Sequence, residues 1–217
     1  MALKVKTATG FVAVGGGGQP AARTVGWGTA MSSDAALSLD FNQHAGTIVG
    51  DLLVAAVYGR KPGGLFTPSG WTKVAERPCA SVDQYTAVFT KVASSNGAVA
   101  HSLALNSASG RLAGVISTFR NAASATLVGS STGVGAPSFD LTIAGSPALG
   151  LFCSSHAYAS DGQVNTYSGI SEIITGAQPR LSAAIAAAPQ MTVTRTASIG
   201  DDNVKTYWAA ILVAITP

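Results

Sequence analysis

The two halves of this chain follow one pattern of residues, and this repetition limits the folds open to it. Residues 69–74 (Ser-Gly-Trp-Thr-Lys-Val) and 168–173 (Ser-Gly-Ile-Ser-Glu-Ile) have the same order of turn, apolar, polar and charged residues. Each half then ends in a long apolar run, at 111–119 and 207–215. Similar blocks about 100 residues apart indicate a scaffold made by copying one supersecondary unit.

The segments between these markers have the patterns of short strands. Residues 36–41 alternate apolar and polar side chains, whereas 51–58 is continuously apolar after Asp51, as in a strand covered on both faces. Residues 181–188 favour a helix by propensity, but the repeat aligns them with the β-branched run at 85–92, which favours a strand. We expect strands near 71–75, 84–93, 98–105 and 111–120, and again near 139–143, 147–153, 170–175, 180–188, 191–198 and 205–215.

Short strands separated by Gly-, Pro- and Asn-rich turns predict an all-β protein. The predicted fold is a jelly-roll-like β-sandwich built from an internal duplication, with repeats at about 34–122 and 136–217 and an N-terminal extended arm. The two copies could form two stacked sandwiches or interleave as one double-sheet domain. We favour one compact body, because the join at 121–138 is rich in small residues without being a clear linker.

The arm is predicted to span residues 1–33 and to dock on a partner. It contains Lys4, Lys6 and Arg23 and no acidic residue, whereas the rest of the chain has equal numbers of basic and acidic side chains. A basic segment on a neutral body can dock on an acidic surface. The tetraglycine at 15–18 breaks regular structure within it. A solvated tail explains the same residues equally well.

The low content of charged residues favours a protein that is part of a larger assembly. Charged residues make up 11% of the chain, against about 25% in an ordinary soluble domain. Such a surface loses little hydration when a neighbour covers it. Mean hydropathy is +0.34, yet no apolar run approaches the roughly 18 residues of a membrane helix. We expect no membrane insertion, no signal peptide, no nucleic-acid binding, synthesis in a cytoplasm before assembly, and free thiols at Cys79 and Cys153.

No motif in the sequence predicts catalysis, a metal site or a cofactor. Residues 129–133 (Gly-Ser-Ser-Thr-Gly) match the spacing of a nucleophile elbow, but that motif needs a helix after it, and we interpret the segment as a loop. A hydrolase would need Ser130 or Ser131 as its nucleophile. The histidines His44, His101 and His156 lack the spacing of a zinc site.

Aromatic residues near loop ends are the candidates for binding a sugar. Tyr58, Tyr158 and Tyr167 are possible contacts for a host cell-wall glycan, since pyranose rings stack on exposed aromatic side chains. Trp71 aligns with Ile170 in the repeat and is expected in the core.

Four segments in order carry a resemblance to a known group of proteins. They are 50–58 (Gly-Asp-Leu-Leu-Val-Ala-Ala-Val-Tyr), 67–74 (Thr-Pro-Ser-Gly-Trp-Thr-Lys-Val), 85–93 and 114–120. The series resembles a β-sandwich unit of virion structural proteins of tailed bacteriophages, especially minor tail and tail-fibre-type proteins of actinobacteriophages. The likeness covers roughly residues 36–217.

The resemblance implies a non-enzymatic virion component that acts by protein–protein contacts. Its expected partners are other virion proteins and further copies of itself, with a trimer favoured. A minor tail protein is the leading hypothesis. A capsid decoration protein and a carbohydrate-binding host-recognition module are the alternatives.

Overall fold

The computed structural model is built of β-strands, with no helix in the residues that it describes. These are residues 4–7, 10–13, 20–31, 37–60, 63–79, 83–105, 112–134, 138–142, 149–157, 164–168, 172–174, 181–186, 190–196 and 207–217. None of them belongs to a helix that could span a membrane. The predicted all-β class is confirmed, and the antiparallel sheets are consistent with a β-sandwich.

Nine strands of the described chain lie in its first half. They are β1 (Lys4–Thr7), β2 (Gly10–Ala13), β3 (Arg23–Met31), β4 (Ser38–Asn42), β5 (Leu52–Arg60), β6 (Thr72–Pro78), β7 (Gln84–Val92), β8 (Ala100–Ala104) and β9 (Ala113–Arg120). The second half supplies β10 (Ser124–Val134), β11 (Ser138–Thr142), β12 (Leu149–Ala157), β13 (Val164–Ser168), β14 (Glu172–Ile174), β15 (Leu181–Ala186), β16 (Gln190–Thr196) and β17 (Tyr207–Thr216). The segment at 181–186 is therefore a strand, as the repeat predicts and against its helix propensity.

Each half forms one five-stranded antiparallel sheet, and the two sheets have the same strand order. The first sheet is ordered β3-β9-β5-β7-β6 and the second β10-β17-β12-β15-β14. Each half also has a smaller sheet, β4-β8 in the first and β11-β16-β13 in the second, while β1 and β2 pair only with each other. Neither large sheet takes a described strand from the other half.

The strand β3 belongs to the body and not to the arm predicted at 1–33. It pairs with β9, and the pairing is irregular between Thr24 and Gly26, as the β10–β17 pairing is between Leu127 and Gly129. A Cβ atom on Gly28 would lie 2.4 Å from the carbonyl oxygen of Asn42 in β4, which shows how closely β3 approaches the smaller sheet. The predicted boundary at residue 33 is thus wrong, because the described body begins by residue 20.

The two large sheets pack face to face through a shared apolar core, here called the central core. It contains Val54 and Ala56 of β5, Phe119 of β9, Leu151 of β12 and Ile211 of β17, all buried. Across it β6 contacts β10 and β17, β7 contacts β17 and β12, and β15 contacts β5 and β9. The two sheets therefore face each other with their strand orders running in opposite directions, so that the β6 edge of the first lies opposite the β10 edge of the second. The subunits of a twofold dimer are related in the same way.

The opposite face of the first sheet is covered by β4, β8 and the loop that precedes β6. Leu53 and Val57 of β5, Phe41 of β4, Leu103 of β8 and Trp71 are buried together there, in what we call the outer core. The strand β5 is thus buried on both faces, as its continuous apolar sequence predicts, and Trp71 lies in the core as expected.

Two leucines of the β4 region test the outer core. Replacing Leu39, which is 1% exposed, by Ala should lower the free energy of unfolding by about 2–5 kcal/mol, because it leaves a cavity. The same change at Leu37, which is 52% exposed, should alter it by no more than about 0.5 kcal/mol. Urea unfolding followed by tryptophan fluorescence measures both, and equal losses would contradict the packing of β4 on the first sheet.

Candidate interaction surface

The basic residues predicted to dock on a partner are divided between two parts of the structure. Lys4 and Lys6 both lie in β1, at alternate positions of a hairpin that pairs with no described strand of the body. Arg23 begins β3, where it is exposed and lies opposite Arg120 of β9 in the strand register. Docking through Lys4 and Lys6 stays a prediction, and Arg23 belongs to the body.

The structure corrects the first of the tyrosines predicted to bind a glycan. Tyr58 is 1% exposed, lies in the central core, and its hydroxyl donates a hydrogen bond to Gln84 Oε1. Its ring is therefore not open to a sugar, because β5 continues as a buried strand where we expected a loop end. Tyr167 lies in β13 opposite Val193, and Tyr158 lies outside the described residues.

A charged pair stabilises the end of the body at which β5 begins and β9 ends. Asp51 directly precedes β5 and is buried, and Arg120 ends the neighbouring strand β9. Arg120 Nε donates to Asp51 Oδ1 at 3.1 Å and Nη2 donates to Oδ2 at 3.0 Å, a bidentate pair. The hydrogen bond to Asp51 raises the pKa of Arg120, so the guanidinium stays charged. The Ile48 amide donates to the same carboxylate at 2.9 Å, which holds the loop before β5.

A second polar network fixes the loop after β7 at the same end. The amide nitrogen of Gln43 donates to the carbonyl oxygens of Ser95 and Gly97, at 3.1 and 2.7 Å. Its amide oxygen lies 2.8 Å from His101 Nε2. Burial and the positive charge of Lys91 lower the pKa of His101, so the neutral ring is favoured here. Both loops are therefore held by buried side chains, which makes the surface between them well defined.

Five exposed apolar residues lie around this end, and we call them the end surface: Ile48, Val49, Val92, Leu127 and Val128. Val92 is 58% exposed, Leu127 42% and Val128 39%. Single exposed apolar residues are ordinary, but a group of them beside grooves marks a contact site. The residue types and their placement therefore fit contact with another protein.

Two grooves run through the end surface and share Ala123 as a wall. One, of about 460 Å³, lies between β6 and β7 on one side and residues 123–127 on the other. The second, of about 310 Å³, is lined by Ile48 and Val49 together with the Asp51–Arg120 pair. Leu52, Val74 and Ala125 line the first groove and also belong to the central core or pack against it. Its floor is thus a part of that core left open to solvent.

The strand β10, which forms one wall of the larger groove, was missed in the sequence. We expected a soft join at 121–138 and a loop at 129–133, and both expectations are wrong. The missed signal was a second repeated pattern, Val25-Gly-Trp-Gly-Thr29 and Val128-Gly-Ser-Ser-Thr132, which aligns β3 with β10.

The structure places several of the residues weighed for catalysis or metal binding in strands. Ser130 Oγ accepts a hydrogen bond from Arg77 Nε, and β10 is followed in the described residues by another strand, so the segment is not a nucleophile elbow. His101 lies in β8 as expected, whereas His156, expected in a loop, lies in β12. In the described part of the chain no three His, Cys, Asp or Glu residues are grouped to hold a metal ion.

Asp51 provides a test of how firmly the end surface is held. Asp51→Asn keeps an acceptor for the Ile48 amide but removes the charge that Arg120 faces, so we expect the Tm to fall by roughly 5 °C. Asp83→Asn makes the same change at an exposed aspartate and should leave the Tm unchanged. Scanning calorimetry of the two variants measures the difference. Equal Tm values would mean that the Asp51–Arg120 pair does not stabilise this end of the body.

No protein-family model, curated protein or solved structure matches this chain.

Proposed function

We propose that this protein is a structural component of a tailed-bacteriophage virion, a minor tail protein that works through protein–protein contacts. The observation that supports contact as its role is the end surface, where Val92, Leu127 and Val128 expose apolar side chains beside a groove whose wall at residues 123–127 is uncharged. The virion assignment rests on the resemblance carried by residues 50–58, 67–74, 85–93 and 114–120.

The strand order supports the finer description of the fold. In each half the first and last strands of the large sheet are neighbours, and the second strand pairs with the second-to-last in the smaller sheet, as β4 pairs with β8. That connectivity is jelly-roll-like. The shared order of the two large sheets and their shared irregularities support an internal duplication, with the first repeat extended back to β3.

The hairpin β1–β2 is the proposed attachment element. Isolated two-stranded hairpins are only marginally stable in water, so this one gains from a surface that it can join. Lys4 and Lys6 suit an acidic surface on the particle. The tetraglycine at 15–18 separates this hairpin in sequence from β3.

Deletion of residues 1–19 tests the attachment. The truncated chain should keep the Tm of the full chain, because β3 and the cores are retained, but it should be lost from virions produced in cells that express it. Quantitative mass spectrometry of purified particles measures the incorporation. A full-length Lys4→Gln, Lys6→Gln variant separates the role of charge from that of the hairpin, and normal incorporation of the truncated chain would refute the attachment role.

Immunogold labelling of the same particles locates the protein. Label on the tail supports the proposal, whereas label over the capsid would favour a decoration protein. The absence of the protein from particles would refute a virion role altogether.

A further inference from the structure

The strand β10 differs from β6, the edge strand beside it in the first sheet, in carrying no residue of the kinds that protect a sheet edge. The edge strand β6 carries Lys73, Glu76, Arg77 and Pro78, residues that protect a sheet edge. Residues 124–134 of β10 include no charged residue and no proline. A long, uncharged and exposed edge is a site where another strand can add.

Only the first part of this edge is open. Farther along, Arg77 bonds to Ser130, and Thr132 Oγ1 donates to the carbonyl oxygen of Pro78 at 2.9 Å, so β6 lies beside that part of β10. Residues 124–128 precede these contacts, and the first four of them line the larger groove. In the described chain residues 124–127 pair on one side only, with β17, and the register shifts at Val128.

We propose that residues 124–128 pair antiparallel with the same residues of a second copy of this chain. A twofold axis places two identical strands antiparallel to one another, and the surface that results is the same on both copies. Leu127 and Val92 of each copy would then pack into the groove of the other. The contact would extend the central core, since its member Leu52 and Ala125, which packs against it, already line that groove.

The charges of this region permit the same surface on two copies of the chain to come together. Lys91 is the single charged residue that lines the larger groove. Its ammonium lies 5.9 Å from the ring centroid of Trp71, which belongs to the outer core on the other face of the first sheet. No like charges would therefore meet across the axis. The hydroxyls of Thr72, Thr90, Ser124 and Thr126 can both donate and accept, so they can pair with their own copies.

This inference deepens the proposed function, on which it rests for its biological use, by naming the homo-oligomer contact. A twofold contact closes at two copies, so it favours a dimer over the trimer expected from the sequence. The basic hairpin β1–β2 is left free for the particle.

Light scattering of the purified full chain after size exclusion tests the dimer. The wild type should be a dimer, and Leu127→Lys should weaken dimerisation by at least about 100-fold, because it places two ammonium groups near the axis. Leu37→Lys is the matched control at an exposed leucine away from this edge, and it should remain a dimer. A wild type that is monomeric at the highest concentration reached, or trimeric, would overturn the inference.

Pairing two oppositely charged variants distinguishes the loss of dimerisation from a failure to fold. Leu127→Lys and Leu127→Glu should each be monomeric, and an equimolar mixture should form a heterodimer. If the mixture stays monomeric, the twofold placement is wrong. In the wild type, hydrogen exchange at residues 124–128 should slow as protein concentration rises, and exchange independent of concentration would also overturn the proposal. A dimer that is missing from virions would refute the proposed function alone, and a monomer found in virions would refute this inference alone.

Discussion

The fold depends on the burial of β5 on both faces, which requires two apolar layers to cover one strand. The central core covers Val54 and Ala56, and the outer core covers Leu53 and Val57. A strand that is apolar on both faces has no alternation to fix its register. Polar contacts at its two ends supply that information, since Asp51 bonds to Arg120 of β9 at one end and Tyr58 bonds to Gln84 of β7 at the other.

This arrangement determines which parts of the surface are open to contact with another protein. The first sheet is covered on both faces, and the loops at one end are held by the carboxylate of Asp51 and the amide of Gln43. The central core does not close completely where β6 and β10 diverge, and the larger groove lies there. The contact site is thus a continuation of the fold's own packing, and it depends on apolar area and strand edges more than on charge.

The sequence predicted the parts of the fold that the repeat or a local pattern records. The continuous apolar run of β5 predicted a doubly buried strand, and the match to the first half identified β15 as a strand despite its alanines. Trp71 was placed in the core by its apolar counterpart. In each case a local pattern and a long-range comparison agreed, which is the condition under which sequence is informative.

The strands β3 and β10 and the burial of Tyr58 could not be predicted in the same way. Both strands are rich in Gly, Ser and Thr, so composition suggested a flexible arm and a soft join, and their strand state depends on pairing with β9 and β17. Tyr58 ends an apolar run, and only the position of Gln84 across the sheet shows that its hydroxyl is satisfied inside. The end surface was equally hidden, because its residues come from three separate loops and strands.

Cys153 reports directly on whether the two halves stack, because its thiol lies in the central core between them. Burial raises its pKa from 9.0 to about 12, so the folded state favours the neutral thiol and stability should fall as pH rises from about 9 towards 12. The decisive measurement is the rate at which a thiol reagent modifies Cys153 in a Cys79→Ala variant at pH 8. Stacked halves predict modification no faster than global unfolding, whereas rapid modification of a protein that stays folded would contradict the stacking of the two sheets.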